Sequence, residues 1–214
     1  MKNKLNIESR VYMLNGLSPI LGSAPASRDI RTRFIASKVP TKELREAEEA
    51  ETFDLDDKGL TVFNRNPQDQ LCLKGHQIKG FFKSALSAIK AQAKIAQPGA
   101  KVDNLVFVEP TYIPLCRDDE KIYEEDEILE RPLRARTMQG ERVTLAASEM
   151  INDPWSVVFE VSMIPSDATK RSEALTWDKL ELALDYGAYH GLVQWRNAGY
   201  GRFTWRRLDG GDDE

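Results

Sequence analysis

The run Leu73-Lys74-Gly75-His76-Gln77-Ile78-Lys79-Gly80-Phe81-Phe82-Lys83 gathers groups that handle phosphate. Its glycine precedes a helical pattern in which Ile78, Phe81, Phe82, Ala85, Leu86 and Ile89 make one apolar stripe. The first N–H groups of a helix lack partners within it and carry partial positive charge, which suits an anion. Lys79, Lys83, Lys90 and Lys94 fall on one edge beside the stripe. Two readings are open: phosphate recognition, or a surface helix with a solvated lysine edge.

A second group lies near the C-terminus. Gly199 and Gly201 flank Tyr200, with Arg196 and Arg202 on either side. Glycine lets a backbone come close to a ligand, and exposed N–H groups can cradle phosphate. Trp195, Tyr200, Phe203 and Trp205 offer rings on which bases could stack, or which could fill the core. Arg131, Arg134, Arg136 and Arg142 form a third basic group. Alternate residues of a strand share a face, so Arg134 and Arg136 point the same way, toward phosphate or toward solvent. His76 is the one histidine beside a candidate site, and no carboxylate adjoins it in sequence to make it a base, so a hydrogen-bonding role is expected. His190, at the end of a helix, reads as structural.

These groups need a scaffold, and the hydrophobic pattern supplies one. Residues 5–14 read as a strand, with Leu5, Ile7, Val11 and Met13 apolar. The lysine-edged helix is expected to run to about Ala96 and stop at Pro98-Gly99. Residues 105–115 read as a strand broken by Pro110 and Pro114, and 131–150 as two extended pieces about Gln139-Gly140. Val157, Phe159, Val161 and Met163 alternate as a half-buried strand. Thr176 is placed to cap a helix with Leu180, Ala183, Leu184 and Ala188 on one face, ending at Gly191. Residues 202–208 close the chain as a strand. The order approximates βαββαβ, an α+β, ferredoxin-like (RRM-like) core with long insertions. One domain over 1–214 is expected, with 23–70 and 116–131 as insertions or arms on the core.

The net charge of −4 hides an uneven distribution. Residues 42–58 hold eight acids and 118–130 another eight; the rest of the chain carries 26 bases against 18 acids. A basic core with two acidic segments is compatible with a polyanion partner. The segment 118–130 reads as a disordered loop or as a dock for a neighbour's basic arm. With 41% hydrophobic residues the chain can build a core. No apolar run approaches the ~20 residues of a membrane span and no signal-peptide core is visible, so a cytoplasmic protein is expected. Cys72 and Cys116 are isolated, which favours reduced, buried thiols over a zinc site.

The run Gly75-His76-Gln77-Ile78-Lys79-Gly80-Phe81-Phe82-Lys83 resembles the Gly-Ser-Ser-x-Lys-Gly-x-x-Arg signature of the RAMP superfamily, the repeat-associated RNA-binding proteins of CRISPR effector complexes. Gly75, Lys79 and Gly80 match; His76 and Gln77 replace the serines and Lys83 the arginine. Gly16-Leu17-Ser18-Pro19-Ile20-Leu21-Gly22-Ser23 resembles the family's first strand and glycine-containing loop, and Asn197-Ala198-Gly199-Tyr200-Gly201-Arg202-Phe203 its glycine-rich loop. Residues 134–140 and 146–150 are similar to the central stretch of the small backbone subunit of type III-like complexes.

The resemblance implies a guide-RNA-binding protein that assembles with copies of itself or other effector subunits. Arg28, Arg31, Arg33, Gly75, His76, Gln77, Lys79, Lys83, Arg134, Arg136, Arg196, Gly199, Tyr200, Gly201 and Arg202 would contact RNA. No cofactor is implied. Some branches cleave target RNA with an aspartate and a divalent metal, and Asp29 stands nearest that place. Two alternatives follow: a metal-dependent endoribonuclease on this fold, or a RAMP-like protein of a virus or mobile element that binds defence subunits.

Overall fold

The computed structural model describes residues 5–26, 60–137, 140–165 and 173–209, with side chains described outside 132–145. It is a mixed α+β structure. Four antiparallel strands form its centre: β1 (Glu8–Gly16), β7 (Val106–Glu109), β13 (Ser156–Met163) and β14 (Phe203–Arg207). Their spatial order is β14-β1-β13-β7. Helix α1 (Gly75–Ala88) precedes β7, and α3 (Trp177–His190) joins β13 to β14.

Strand β13 buries Val157, Phe159, Val161 and Met163, as its alternation predicts. In β1 the buried face is the even one: Tyr12 and Leu14 are fully buried, while Leu5 and Ile7 are exposed. A tyrosine can occupy that face because its hydroxyl donates to Glu181 Oε1 at 2.9 Å. Against these residues pack Ile78, Phe81, Phe82 and Leu86 of α1 and Leu180, Ala183 and Leu184 of α3. Gly187 lets α3 settle on Phe203, whose ring lies 2.1 Å from where a Cβ would stand. The other face of the sheet leaves Val158 and Phe107 exposed.

Helix α1 ends at Ala88 rather than near Ala96, so Lys90 and Lys94 leave the lysine edge. The expected stop at Pro98-Gly99 is instead the start of α2 (Pro98–Leu105), with proline in the first turn. Its fixed φ and missing N–H suit a helix start as well as a stop.

A second sheet contains the hairpin β11 (Glu127–Thr137) and β12 (Gly140–Ile151). Beside β12 run β2 (Ile20–Leu21) and β4 (Leu60–Val62), and β3 (Ala24–Pro25) pairs with β4. A third sheet, β5 (Asn64–Arg65), β6 (Leu71–Lys74) and β8 (Tyr112–Pro114), delivers the chain directly from β6 into α1.

The acidic stretch 118–130 is not a disordered loop. It passes through the short pair β9 (Cys116–Arg117) and β10 (Glu120–Lys121) into β11. Its Asp126 binds Arg117 at 2.6 Å and accepts from the Asn152 N–H at 2.7 Å. That guanidinium holds the Asp126 carboxyl below its usual range. Cys72 is buried with its thiol pushed up to about 11 by burial, whereas Cys116 is only half-buried. Among the described residues no helix is long and apolar enough to cross a membrane.

Candidate functional site

Three segments distant in sequence close around one cleft: the loop after β1, the first turns of α1, and the loop 191–202 that leaves α3. Backbone bonds lock the two loops together, from Leu17 N–H to Arg202 O at 2.7 Å and from Gly201 N–H to Pro19 O at 2.8 Å. The Arg202 N–H donates to Ser18 Oγ at 2.9 Å. Gln77 ties the helix in: its Oε1 accepts the Lys74 N–H at 2.7 Å, and its Nε2 donates to Ser23 Oγ at 2.8 Å. Lys74 is the N-cap residue of α1 and offers no acceptor, so the third residue of the helix does the capping. The cleft between them encloses about 270 Å³ and is lined by Ser23, Gln77, Gly80, Phe81, Val193 and Arg196.

Arg196 is the cation of this cleft. Its Nη1 donates to Ser84 Oγ at 3.0 Å and lies 2.8 Å from His190 Nε2. Arginine can only donate, so His190 accepts on Nε2 and keeps its proton on Nδ1. Burial, then the nearby guanidinium, push the imidazole below its ordinary value. His190 also stacks on Tyr186 with ring centres 5.0 Å apart. It thus holds Arg196 in place, a role more specific than the structural one expected. Both acceptors on Arg196 are neutral, so no described residue cancels its charge through a direct bond.

The loop 191–202 is tightly wound. Positive φ occurs at Gly191, Val193, Trp195, Gly199 and Gly201. For Val193, a β-branched residue at φ 63°, this is strained backbone of the kind that collects at binding sites. The glycines divide into two kinds. A Cβ on Gly201 would stand 2.4 Å from Leu192 O, so this glycine closes the loop on itself. Gly199 and Gly80 have nothing within 4 Å of a Cβ, so a ligand can approach closely there, although the Gly199 N–H is already donated to Arg196 O at 2.9 Å. Gly75 is sealed: a Cβ there would lie 2.8 Å from Val108 O, and its N–H already donates to Thr111 O.

Two residues absent from the expected set meet the loop, and one of them, Gln194, anchors it. Gln194 Nε2 reaches Gly22 O, Thr61 Oγ1 and Ser148 Oγ, joining the loop to β4 and β12. Arg131 of β11 lies under Trp195, with its guanidinium carbon 4.3 Å from the ring centre. Tyr200 stacks on the same indole at 5.2 Å and 13°. Only the Arg131 cluster hinted at its part in the sequence; Gln194 gave no local signal.

The remaining expected contacts distribute as follows. His76 is exposed on the first turn of α1. Lys79 and Lys83 turn away from the cleft to α2, where Lys79 Nζ donates to Asp103 O at 2.9 Å and Lys83 Nζ to Asp103 Oδ2 at 2.7 Å. Arg202 is exposed beside the locked loops. Arg134 and Arg136 lie on β11 opposite Val143 and Glu141. Arg28, Asp29, Arg31 and Arg33 lie outside the described residues. Phe203 is fully buried edge-on to Phe81, so it offers no face to a base. Trp205 packs against Tyr12 and donates to Asp185 Oδ1 at 2.8 Å. No group of three or more metal-ligating side chains occurs among the described residues. The cleft therefore offers an arginine whose described partners are neutral and an open glycine, with the stacked Trp195 and Tyr200 on the same loop, a set suited to holding an anionic chain.

No protein-family model matches this chain, and no curated protein matches it.

Proposed function

We propose that the chain is an RNA-binding subunit of the backbone type, built on a ferredoxin-like core and assembling with like subunits along a guide RNA in a CRISPR-type effector complex. The observation that carries the reading is convergence. Segments 16–23 and 75–83, which resemble two of the family's glycine motifs, line one cleft, and the third, 197–203, is bonded to 16–23 and directly follows the cleft residue Arg196. The order β14-β1-β13-β7, with a helix before β7 and another before β14, supports the βαββαβ core of this reading.

Arg196 takes phosphate oxygens at the cleft, and Gly80, which has no side chain, lets the strand come close to it. Lys79, Lys83 and Arg202 add charge outside it, and His76 offers a hydrogen bond at the head of α1. Such contacts read the backbone and not the bases, so binding is independent of sequence and falls with salt. No cofactor enters this reading.

The test is the absorbance ratio at 260 to 280 nm of protein purified at low salt, with size exclusion before and after RNase. A high ratio and a large particle that collapses on RNase treatment are expected. A low ratio with an unchanged monomer or small oligomer sinks the reading and leaves the basic residues to a protein partner.

A further inference from the structure

We infer that Arg131 receives one backbone phosphate of a single-stranded polynucleotide, and that Trp195 covers it until the strand arrives. The inference rests on the RNA-binding reading and adds a second contact point to it.

Arg131 is 8% exposed, in the middle of β11 opposite Ala146. Its Nε and Nη1 have no hydrogen-bond partner among the described residues. A buried guanidinium keeps its charge and its five donors, and donors removed from water without acceptors are costly. Among the described residues, three other partly buried arginines are paired. Arg10 binds Glu181 at 2.6 Å, Arg117 binds Asp126 at 2.6 Å, and Arg65 donates to Tyr123 O at 2.6 Å. Arg131 is the exception: what lies against it is the face of an indole.

That indole is an unusual cover. Trp195 is 37% exposed and sits at φ 53°, two residues after the strained Val193. It precedes Arg196 directly, so one short loop carries both the cover of Arg131 and the cation of the cleft. Tyr200, stacked on Trp195 within the same loop, offers an incoming base a ring to lie on. A phosphate is the acceptor that fits. It carries the charge Arg131 lacks opposite it, and its oxygens match the planar donors of a guanidinium. Because Trp195 and Arg196 are adjacent in the chain, a strand held by Arg196 runs along the loop that covers Arg131.

The test compares wild type with Arg131→Met and Arg131→Lys, by thermal melting and by anisotropy of a labelled single-stranded RNA oligonucleotide across a salt series. The Met variant is expected to melt at the wild-type temperature or above, because an unpaired buried charge has been removed. It is also expected to bind RNA about tenfold more weakly, with a salt slope shallower by about one. The Lys variant keeps the salt slope while losing part of the affinity. Met-variant binding equal to wild type overturns the inference and leaves the RNA-binding reading standing. A Met variant that melts several degrees lower, or fails to fold, also overturns it, since Arg131 would then be held by a structural partner. Wild type that binds no RNA at low salt overturns both. Tripolyphosphate identifies the source of the phosphate: a difference between wild type and the Met variant confined to tripolyphosphate overturns the polynucleotide assignment.

Discussion

On one flank of α1, Lys79 and Lys83 both turn to Asp103 of α2; on the other, Gln77 and Gly80 face Arg196 across an open cleft. The lysine flank looks the more basic in sequence, yet Lys83 is paired with the Asp103 carboxylate at the surface, a pair worth about 0.5 kcal/mol, and Lys79 is turned to the Asp103 carbonyl, away from the cleft. The cleft flank has one cation, but its partners are the neutral Ser84 and His190. A polyanion gains more from the cation whose field is not already answered. The glycines follow the same division. Gly75 is closed by the β7 backbone, whereas Gly80 is open, so one is demanded by the fold and the other is free for a ligand.

The largest effect should come from testing that division directly. Gly75→Ala forces a Cβ against Val108 O, a backbone atom that cannot swing aside. A loss of roughly 2 kcal/mol in urea unfolding is expected. Gly80→Ala should do the reverse, gaining up to about 1 kcal/mol because glycine is a poor helix former. If Gly80 gives RNA its close approach, the same variant binds several-fold more weakly despite its greater stability. Equal behaviour of the two variants in both assays breaks the comparison.

Arg196→Ala comes next. About a tenfold loss of RNA affinity is expected, near 1.4 kcal/mol, with the melting temperature little changed. Arg196→Lys should recover little, because lysine cannot satisfy Ser84 and His190 while presenting a planar edge to the cleft. Full affinity in the alanine variant moves the site away from the cleft.

The core strands and both large helices were readable before the structure, because each repeats apolar residues at its own period over enough residues to exceed noise. Val157 to Met163 and the stripe from Ile78 to Leu86 are the clearest examples. The stop at Pro98 was ambiguous in principle, since proline suits both the end of one helix and the start of another. The even-numbered burial of β1 depends on Glu181, far along the chain, satisfying Tyr12. At the site, glycine and arginine types were visible, but their uses were not. Gly201 closes its loop and Gly199 does not, and only the Leu192 carbonyl separates the two cases. Gln194 and the burial of Arg131 arise where the second sheet meets the loop 191–202, and no local spacing encodes that meeting.

A smaller effect should follow pH. His190 has its pKa lowered in the folded protein, first by burial and then by Arg196. The unfolded chain therefore takes up the proton first, and the contribution of neutral His190 is full above about 6.5 and lost as pH falls below it. Protonation also removes the acceptor on Nε2 and sets two cations against each other. RNA affinity then reflects two opposed changes: Arg196 loses its holder, while the cleft gains a charge. Because the geometry of Arg196 is what His190 supplies, a net loss of a few-fold is expected once pH falls far enough below the ordinary imidazole value to protonate His190 in the folded protein. His190→Gln, which retains an acceptor but does not titrate, should flatten that profile. A profile unchanged by the substitution assigns the pH dependence elsewhere.

The smallest effect should come from the lysine flank. Asp103→Asn frees Lys83 from its ion pair and leaves the bond from Lys79 to the Asp103 carbonyl intact. Stability should fall by no more than about 0.5 kcal/mol. If the flank is a reserve of charge beside the cleft, RNA affinity rises slightly, by less than threefold, and the salt dependence steepens by less than one counterion. A rise larger than the loss in Arg196→Ala would invert the comparison: the lysine edge would be the main anion surface, held in check by Asp103, and the cleft would be secondary.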